Sequence, residues 1–327
     1  MTRLKEIICT VGVDLGGTNT RVAIVDAEGR MPASSNFNTR DYPRQQDFVE
    51  RLAKEVDALF RILKEEGYTL RVKGIGIGAP CVDSRKRSIE GATNLPWKES
   101  FPLGRMLEEA TGLPVAIAND ANAAAIGEMT YGAARGMTDF IMLTLGTGVG
   151  SGIVCDGHLL SGKRGLAGEL GHVTFPFASD RLCACGRKGC LQTVCASGGM
   201  VHTALELLAT TTDPSPLRQP GGKLSARDIG KAVIAGDPVA KCVMRITEEA
   251  LGRACAEFVA LTDPEAIILF GGVANPEEMD AEHIRQVMDN YSLAIYRGRV
   301  KVLFSTLKGS QAALLGAASL PLHNSNL

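Results

Sequence analysis

The chain opens with an apolar, β-branched run, "IICTVGV" at 7–13, which breaks at Asp14 into "DLGGTNT" and resumes as "RVAIVD". Strand, glycine turn and strand is the reading, and "AEG" leads to a third strand, so two hairpins begin the fold. Phe48, Leu52, Val56, Leu59 and Leu63 then recur at intervals of three and four, the stripe of a long helix ending near Gly67. "VKGIGIGAP" reads as a buried strand that stops at Pro80. A helix around 103–111 leads through "GLP" to the strand "VAIA", and "DANAAAIGEMTYG" is the next helix. From residue 139 the pattern restarts. "DFIMLTLG", "VGSGIVCDG" and the Asp156-Gly157 turn to "HLL" repeat the opening, so 7–25 and 139–155 share a plan, in pattern more than in identity. Helices are predicted at 193–209, at 225–235, where Ser225 and Asp228 have the spacing of a capping box, and at 238–262. The strand "AIILFGG", a helix near 280–290, the strand "VKVLFST" and the helix "GSQAALLGAAS" close the chain, with one long loop at 210–223. The fold class is α/β with mixed sheets.

Composition narrows the function classes. A length of 327 residues suits two domains. Apolar residues at 45%, charged residues at 22% and a net charge of −1 describe a globular protein without a basic nucleic-acid or anionic-membrane surface. No stretch reaches the ~18 apolar residues of a membrane helix. The N-terminal apolar run is short and meets Asp14 without a cleavage site, so it reads as a strand rather than a signal peptide. Nine cysteines, an odd number, suit a reducing compartment, and a cytoplasmic location is expected. The 37 glycines cluster in loops after strands, where backbone comes close to a ligand.

Those loops carry the candidate chemistry. In "DLGGTNT" a carboxylate ends the strand, two glycines let amides turn inward, and Thr18 adds a hydroxyl donor, which together cradle phosphate oxygens. Asp14 is placed to hold the divalent cation that accompanies nucleotide phosphates. A plain Gly-Gly hairpin is the competing reading of that turn alone. "LGTGVGSG" (145–152) and "LFGGVAN" (269–275) are further glycine turns at strand ends. "GHLLSGKR" (157–164) nearly spells a P-loop but has Arg164 where the magnesium-binding hydroxyl is required, and no G-x-G-x-x-G follows the first strand. Asn119 and Asp120 sit where a strand ends and a helix begins. They suit a helix cap, or a general base that takes a hydroxyl proton as its oxygen attacks phosphorus. His172, Cys183, Cys185 and Cys190 offer one nitrogen and three thiolates, the ligand set of a closed tetrahedral zinc site, with Gly186 and Gly189 easing the loop between them. Four ligands leave no open position, so the metal is structural.

"GELGH" paired with "CACGRKGCLQ", together with "DLGGTNTR", "GIGAP", "NLPW", "ND", "LGTGVGSGI" and "GGV" in that order, resembles the ROK family of repressors and sugar kinases, over Val11 to about Ala318. The resemblance implies a two-domain actin-like ATPase (ribonuclease H-like) fold with an interdomain cleft. Residues 1–118 would form the small domain, 119–305 the large one with a zinc loop at 172–190, and a C-terminal helix at about 306–327 would pack back on the first. It implies an ATP-dependent hexose kinase acting first on the 6-hydroxyl of glucose, with allose, mannose, fructose and N-acetylated amino sugars such as N-acetylmannosamine open. Carried onto this chain, ATP falls to Asp14, Gly16, Gly17, Thr18, Asn19, Gly146, Thr147 and Gly148, and the adenosine side to Gly271, Gly272 and Val273. Asp120 is the catalytic base. Thr93, Asn94, Asn119, Asp120, Glu169, His172 and Gln192 are the sugar side, and His172 also ligates zinc. Magnesium arrives with ATP, and a homodimer or dimer-based oligomer is implied, with no nucleic-acid or membrane partner.

Three positions depart from the family's habit: Gln192 replaces a glutamate, Cys81 stands where glycine is common, and Thr93 where proline is frequent. All three fall on the sugar side. Two rivals to the kinase are a sugar-responsive regulator and a catalytically silent sugar-binding protein. Only thirteen residues precede Asp14, too few for a DNA-binding domain, and the intact Asp120 argues against the silent protein.

Overall fold

Two sheets are built on one plan. The structure, a computed structural model, describes residues 5–323 apart from 93, 164, 179, 219–222 and 308. The opening hairpins form β1 (Lys5–Leu15), β2 (Asn19–Asp26) and β3 (Ala33–Asn38), and α1 (Gln45–Glu65) follows. The stripe from Phe48 to Leu63 is buried along its length, as a three-four repeat requires of a helix laid on a sheet. β4 (Tyr68–Gly78) leads to a small hairpin, β5 (Val82–Asp83) with β6 (Ser88–Ile89), which the hydrophobic pattern does not announce because two-residue strands have no period to read. Next come α2 (Leu103–Thr111), stopped by Gly112 at φ 69°, then β7 (Val115–Ala118) and α3 (Asp120–Tyr131). The second cycle supplies β8 (Phe140–Leu145), β9 (Val149–Cys155) and the two-residue β10 (His158–Leu159).

The helix expected at 193–209 is instead two helices, α4 (Gln192–Cys195) and α5 (Ser197–Thr210). The chain extends at Ala196 (φ −85°, ψ 165°), and the Ser197 N–H donates to the Gly146 carbonyl at 2.8 Å instead of continuing a helical ladder. α6 (Ala226–Ile234) starts at a formed capping box of Ser225 and Asp228. α7 (Pro238–Thr262), β11 (Ala266–Phe270), α8 (Ala281–Tyr291), β12 (Lys301–Phe304) and α9 (Gly309–Ser319) complete the order.

In the first sheet the strands lie β3-β2-β1-β4-β7, antiparallel through the hairpins and parallel from β1 to β7. β9, β8, β11 and β12 repeat the arrangement of β2, β1, β4 and β7, including the change from antiparallel to parallel. The register aligns Asp14 with Gly78 and Gly78 with Ala118, which sets the carboxyl ends of β1, β4 and β7 side by side. In open α/β sheets that edge is where ligands bind.

Contacts divide the chain into two units. One comprises Met1–Gly136, Gly157–Ala167 and Thr306–Leu327, and the other Met137–Asp156 and Gly168–Ser305. The boundary therefore lies at 136/137 rather than 118/119. α3 stays with the first unit because it packs against α9, where Gly316 comes so close to Ala123 that a Cβ there would sit 2.6 Å from the Ala123 carbonyl oxygen. Residues 157–167 join the same unit, with Gly165 against Ser84. α9 has no charged side chain and lies directly on the sheet. A Cβ at Gly76 of β4 would collide with the Ala317 carbonyl, so only glycine admits the helix there.

Each unit has its own core. Phe48, Trp97 and Phe101 meet edge to face in the first, with centroids 4.6 and 4.7 Å apart for the two tryptophan pairs. The second gathers Phe258 and its neighbours on α7 with Ile141, Leu143, Ile267 and Leu269 of the sheet. Among the described residues no helix is long and apolar enough to cross a membrane.

Candidate functional site

In the first unit, the β1–β2 turn is held from behind. Thr39 Oγ1 donates to the Gly16 carbonyl at 2.8 Å, the Thr39 N–H to the Thr18 carbonyl at 2.8 Å, and Arg40 Nε to the Gly17 carbonyl at 3.3 Å. Gly17 lies against residue 94, where a Cβ would stand 2.5 Å from the Asn94 carbonyl oxygen, so the turn needs glycine for space. Thr18, Asn19 and Asn94 are exposed nearby on the same unit. Thr93, expected beside Asn94, lies outside the described residues, as does Arg164 of the P-loop-like stretch.

Asp14 has a partner that sequence reasoning missed. Arg21 stands opposite it in the β1–β2 register, and its Nε donates to Asp14 Oδ2 at 3.0 Å while Nη2 touches the same oxygen. The signal was available: residues equally spaced about a short hairpin turn face each other, so "D-LGGTNT-R" already pairs 14 with 21. A carboxylate of this kind, completed by substrate phosphates and water, is the usual protein share of a magnesium site.

At the end of β7 the two readings of "ND" separate. Asn119 is the cap of α3: with φ −66° and ψ 161°, its Oδ1 accepts the Asn122 N–H at 2.7 Å. Asp120 is the first helical residue, and its Oδ1 accepts the Ala121 N–H at 2.9 Å. Capping is thus done by Asn119, and Asp120 is exposed at the surface. Surrounding protein still strips part of its hydration, which pushes its pKa above the ordinary aspartate value. The Asp14 charge pushes the same way, against the lowering effect of the backbone N–H bonds.

In the second unit, the turn at Gly146–Gly148 and the turn at Gly271–Val273 lie together beyond the adjacent parallel strands β8 and β11, with the Val273 N–H donating to the Leu145 carbonyl at 3.1 Å. Glu169 is exposed and heads a short 3-10 turn, Leu170–His172. Ser151 on β9, another residue missed from sequence, grips the backbone on both sides of Glu169. Its hydroxyl donates to the Gly168 carbonyl and accepts the Leu170 N–H at 3.2 Å. The second glycine of "GELGH" has a steric cause: a Cβ at Gly171 would collide with the Val149 carbonyl.

His172, Cys183, Cys185 and Cys190 converge, with all four donor atoms within 4.8 Å of one another. His172 Nδ1 is 3.7 Å from Cys183 Sγ, and Cys185 Sγ is 3.7 Å from Cys190 Sγ. A tetrahedral ion bonded to sulfur at about 2.3 Å has S···S edges of about 3.8 Å, which those two separations match, so the cluster could hold a metal. The Cys183 N–H donates to the Arg187 carbonyl at 2.8 Å and the Gly186 N–H to the Cys183 carbonyl at 2.9 Å, which folds the loop back on itself. Bonds from the Arg187 N–H and guanidinium hold the Cys185 thiol down at about 6, while burial and neighbouring thiols push Cys190 up to about 11. A cavity of about 310 Å³ joins Thr147 of the glycine turn, Cys183 and Gln192 of the metal loop, and Gly198 and His202 of α5.

A profile of the ROK family matches residues 10–324. The chain is 34% identical over 320 residues to a glucokinase of Halalkalibacterium halodurans, spanning 97% of this chain and 96% of that protein. Among solved structures it is similar to a ROK hexokinase from Thermus thermophilus, with TM-score 0.79, 32% identity, and coverage of 97% of this chain and 99% of that one. It is also similar to a ROK family glucokinase from Streptomyces griseus in complex with glucose and AMPPNP, with TM-score 0.73, 34% identity, and coverage of 95% and 98%.

Proposed function

The chain belongs to the ROK family, and on that footing we propose that it is an ATP-dependent hexose kinase that transfers the γ-phosphoryl group to the 6-hydroxyl of glucose. One observation carries the chemistry: Asp120 is an exposed carboxylate, freed from capping by Asn119, with a raised pKa. Such a carboxylate, in its ionised form, can take the proton of an attacking hydroxyl. Asp14 would hold the magnesium of Mg·ATP, which neutralises charge on the phosphate oxygens. The turns at Gly16–Thr18 and Gly146–Gly148 donate backbone N–H groups to those oxygens, and Gly271, Gly272 and Val273 take the adenosine side. Glucose leads because relatives over nearly the full chain length are glucokinases, one of them with glucose bound.

On the sugar side we place Asn94, Asn119, Glu169 and His172, with Thr93 carried on the resemblance alone. Zinc suits the donor set of His172, Cys183, Cys185 and Cys190 and would hold the loop rather than react, because four ligands fill a tetrahedron. With His172 Nδ1 turned to the cluster, zinc bound there would leave the ring proton on Nε2, which could then donate to a sugar hydroxyl. All nine cysteines are free, in keeping with a reducing, cytoplasmic setting. The homodimer implied by the family belongs to the same reading and is checked by light scattering.

The deciding experiment is ADP release with ATP and a panel of glucose, mannose, allose, fructose and N-acetylmannosamine. The highest kcat/KM is expected for glucose. Preference for another sugar would replace glucose and leave the kinase standing. No sugar-dependent ADP release from any of them would remove the kinase.

A further inference from the structure

Gln192 stands where the family's sugar kinases usually carry glutamate, and in the structure both ends of its amide are already occupied. Nε2 donates to Cys183 Sγ at 3.0 Å, and Oε1 accepts the Val149 N–H at 3.4 Å. The amide oxygen also lies against Gly148, where a Cβ would sit 3.0 Å from it. One side chain therefore links a metal-ligand sulfur to the strand that leaves the Gly146–Gly148 turn. Val149 is where the two halves of the metal loop meet this strand: its N–H bonds Gln192, and its carbonyl packs on Gly171, next to His172.

The chemistry of the link requires an amide. An amide can donate to sulfur with nitrogen and accept from a backbone N–H with oxygen. A carboxylate can do only the second, and its charge would face a ligand thiolate. We propose that Gln192 is a positioning residue, a hydrogen-bonded strut through which metal binding at Cys183 fixes the β8–β9 glycine turn. The glutamine thereby serves the metal loop and the turn together. Partners of ligand atoms commonly change metal affinity by about 10- to 100-fold when removed, which sets the size of the expected effect.

The inference rests on the metal reading of the loop, and its test needs neither sugar nor nucleotide. Zinc-loaded wild type, Gln192→Met and Gln192→Glu are mixed with excess chromogenic chelator, and metal release is followed. Both variants should release zinc roughly ten times faster or more, with Gln192→Glu the faster of the two. Amide hydrogen exchange on the wild type adds a readout that needs no variant to fold: removing zinc should speed exchange across 147–150. Release from both variants within about twofold of wild type, well short of that range, overturns the strut, as does exchange at 147–150 that ignores the metal. A wild type that takes up no zinc overturns the metal reading and this inference with it. None of these results bears on whether the protein is a kinase.

Discussion

Asp120 holds a charge that folding makes harder to keep, and two opposite expectations follow for one substitution. Its pKa is raised in the folded chain, so the folded state binds more protons than the unfolded state between the ordinary aspartate value and the raised one. Stability from this residue is therefore full at low pH and declines as pH rises through that window. Asp120→Asn removes the decline, and the variant should be at least as stable as wild type at neutral pH, with the difference closing in acid. Turnover should nevertheless fall by about 10² to 10⁴, the usual worth of a general base. Denaturant midpoints at several pH values, beside kcat, check both, and a variant keeping more than about a tenth of wild-type turnover would deny Asp120 the role of base. The sequence places Asn119 and Asp120 at a helix start but cannot say which of them caps it, because both residue types cap well; side-chain geometry gives the cap to Asn119. Cys81 is legible in the opposite sense. The departure from glycine was visible, and the structure shows its cost: Cys81 is exposed at φ 54°, in the left-handed region. Relief of about 1–2 kcal/mol from that conformation, less about 0.4–1 kcal/mol for the freer unfolded chain, predicts that Cys81→Gly stabilises by up to about 1.5 kcal/mol. Cys81→Ala, which keeps a Cβ, should gain nothing, and equal denaturant midpoints for the two would show that backbone strain is not the cause.

The elements nearest the chemistry are short, and that decides what the pattern could announce. Long periodic segments such as α1 and α7 match their hydrophobic stripes closely, since a helix of six or seven turns repeats its signal many times. The 3-10 turn at Leu170–His172, the β5–β6 hairpin and the break at Ala196 each span a handful of residues and are set by tertiary hydrogen bonds such as Ser197 to Gly146. Glycines punctuate the loop around the His/Cys cluster, and the structure distinguishes two reasons for them. Gly171 is there for space, against the Val149 carbonyl, whereas Gly186 is there for its φ of 85°, with open room around the missing Cβ. Gly171→Ala forces backbone apart, so a loss of about 1–3 kcal/mol and weaker zinc retention through the neighbouring His172 are expected. Gly186→Ala strains only its own backbone, about 1–2 kcal/mol, and should keep the 3-10 turn in place. Zinc retention measured on both separates them: equal loss would mean that the Val149 contact does not position His172.

At the scale of the whole chain, the repeated strand, turn and strand proved to be a repeated sheet order, and that much was written in the hydrophobic pattern. Where the units divide was not. Half of the buried residues of α3 are alanine, which gives a weak amphipathic signal and no hint that the helix packs with α9, nearer the C-terminal end of the chain. Segment 157–167 joins the first unit through loop contacts that no periodicity encodes. Separate cores make a test available, because the only tryptophan, Trp97, is buried in the core of the first unit while the metal loop belongs to the second. Metal binding at a structural site contributes directly to folding free energy, so chelation should weaken the unit that holds the loop. Chains with more than one core need not unfold in a single step. In urea, far-ultraviolet circular dichroism, which sees the helices of both units, should therefore develop an earlier transition once zinc is removed. Trp97 fluorescence should keep its midpoint. If both probes move together by the same amount, the units unfold as one cooperative body and stabilisation by the metal extends through the entire chain; if neither moves, the metal carries no folding energy in this protein.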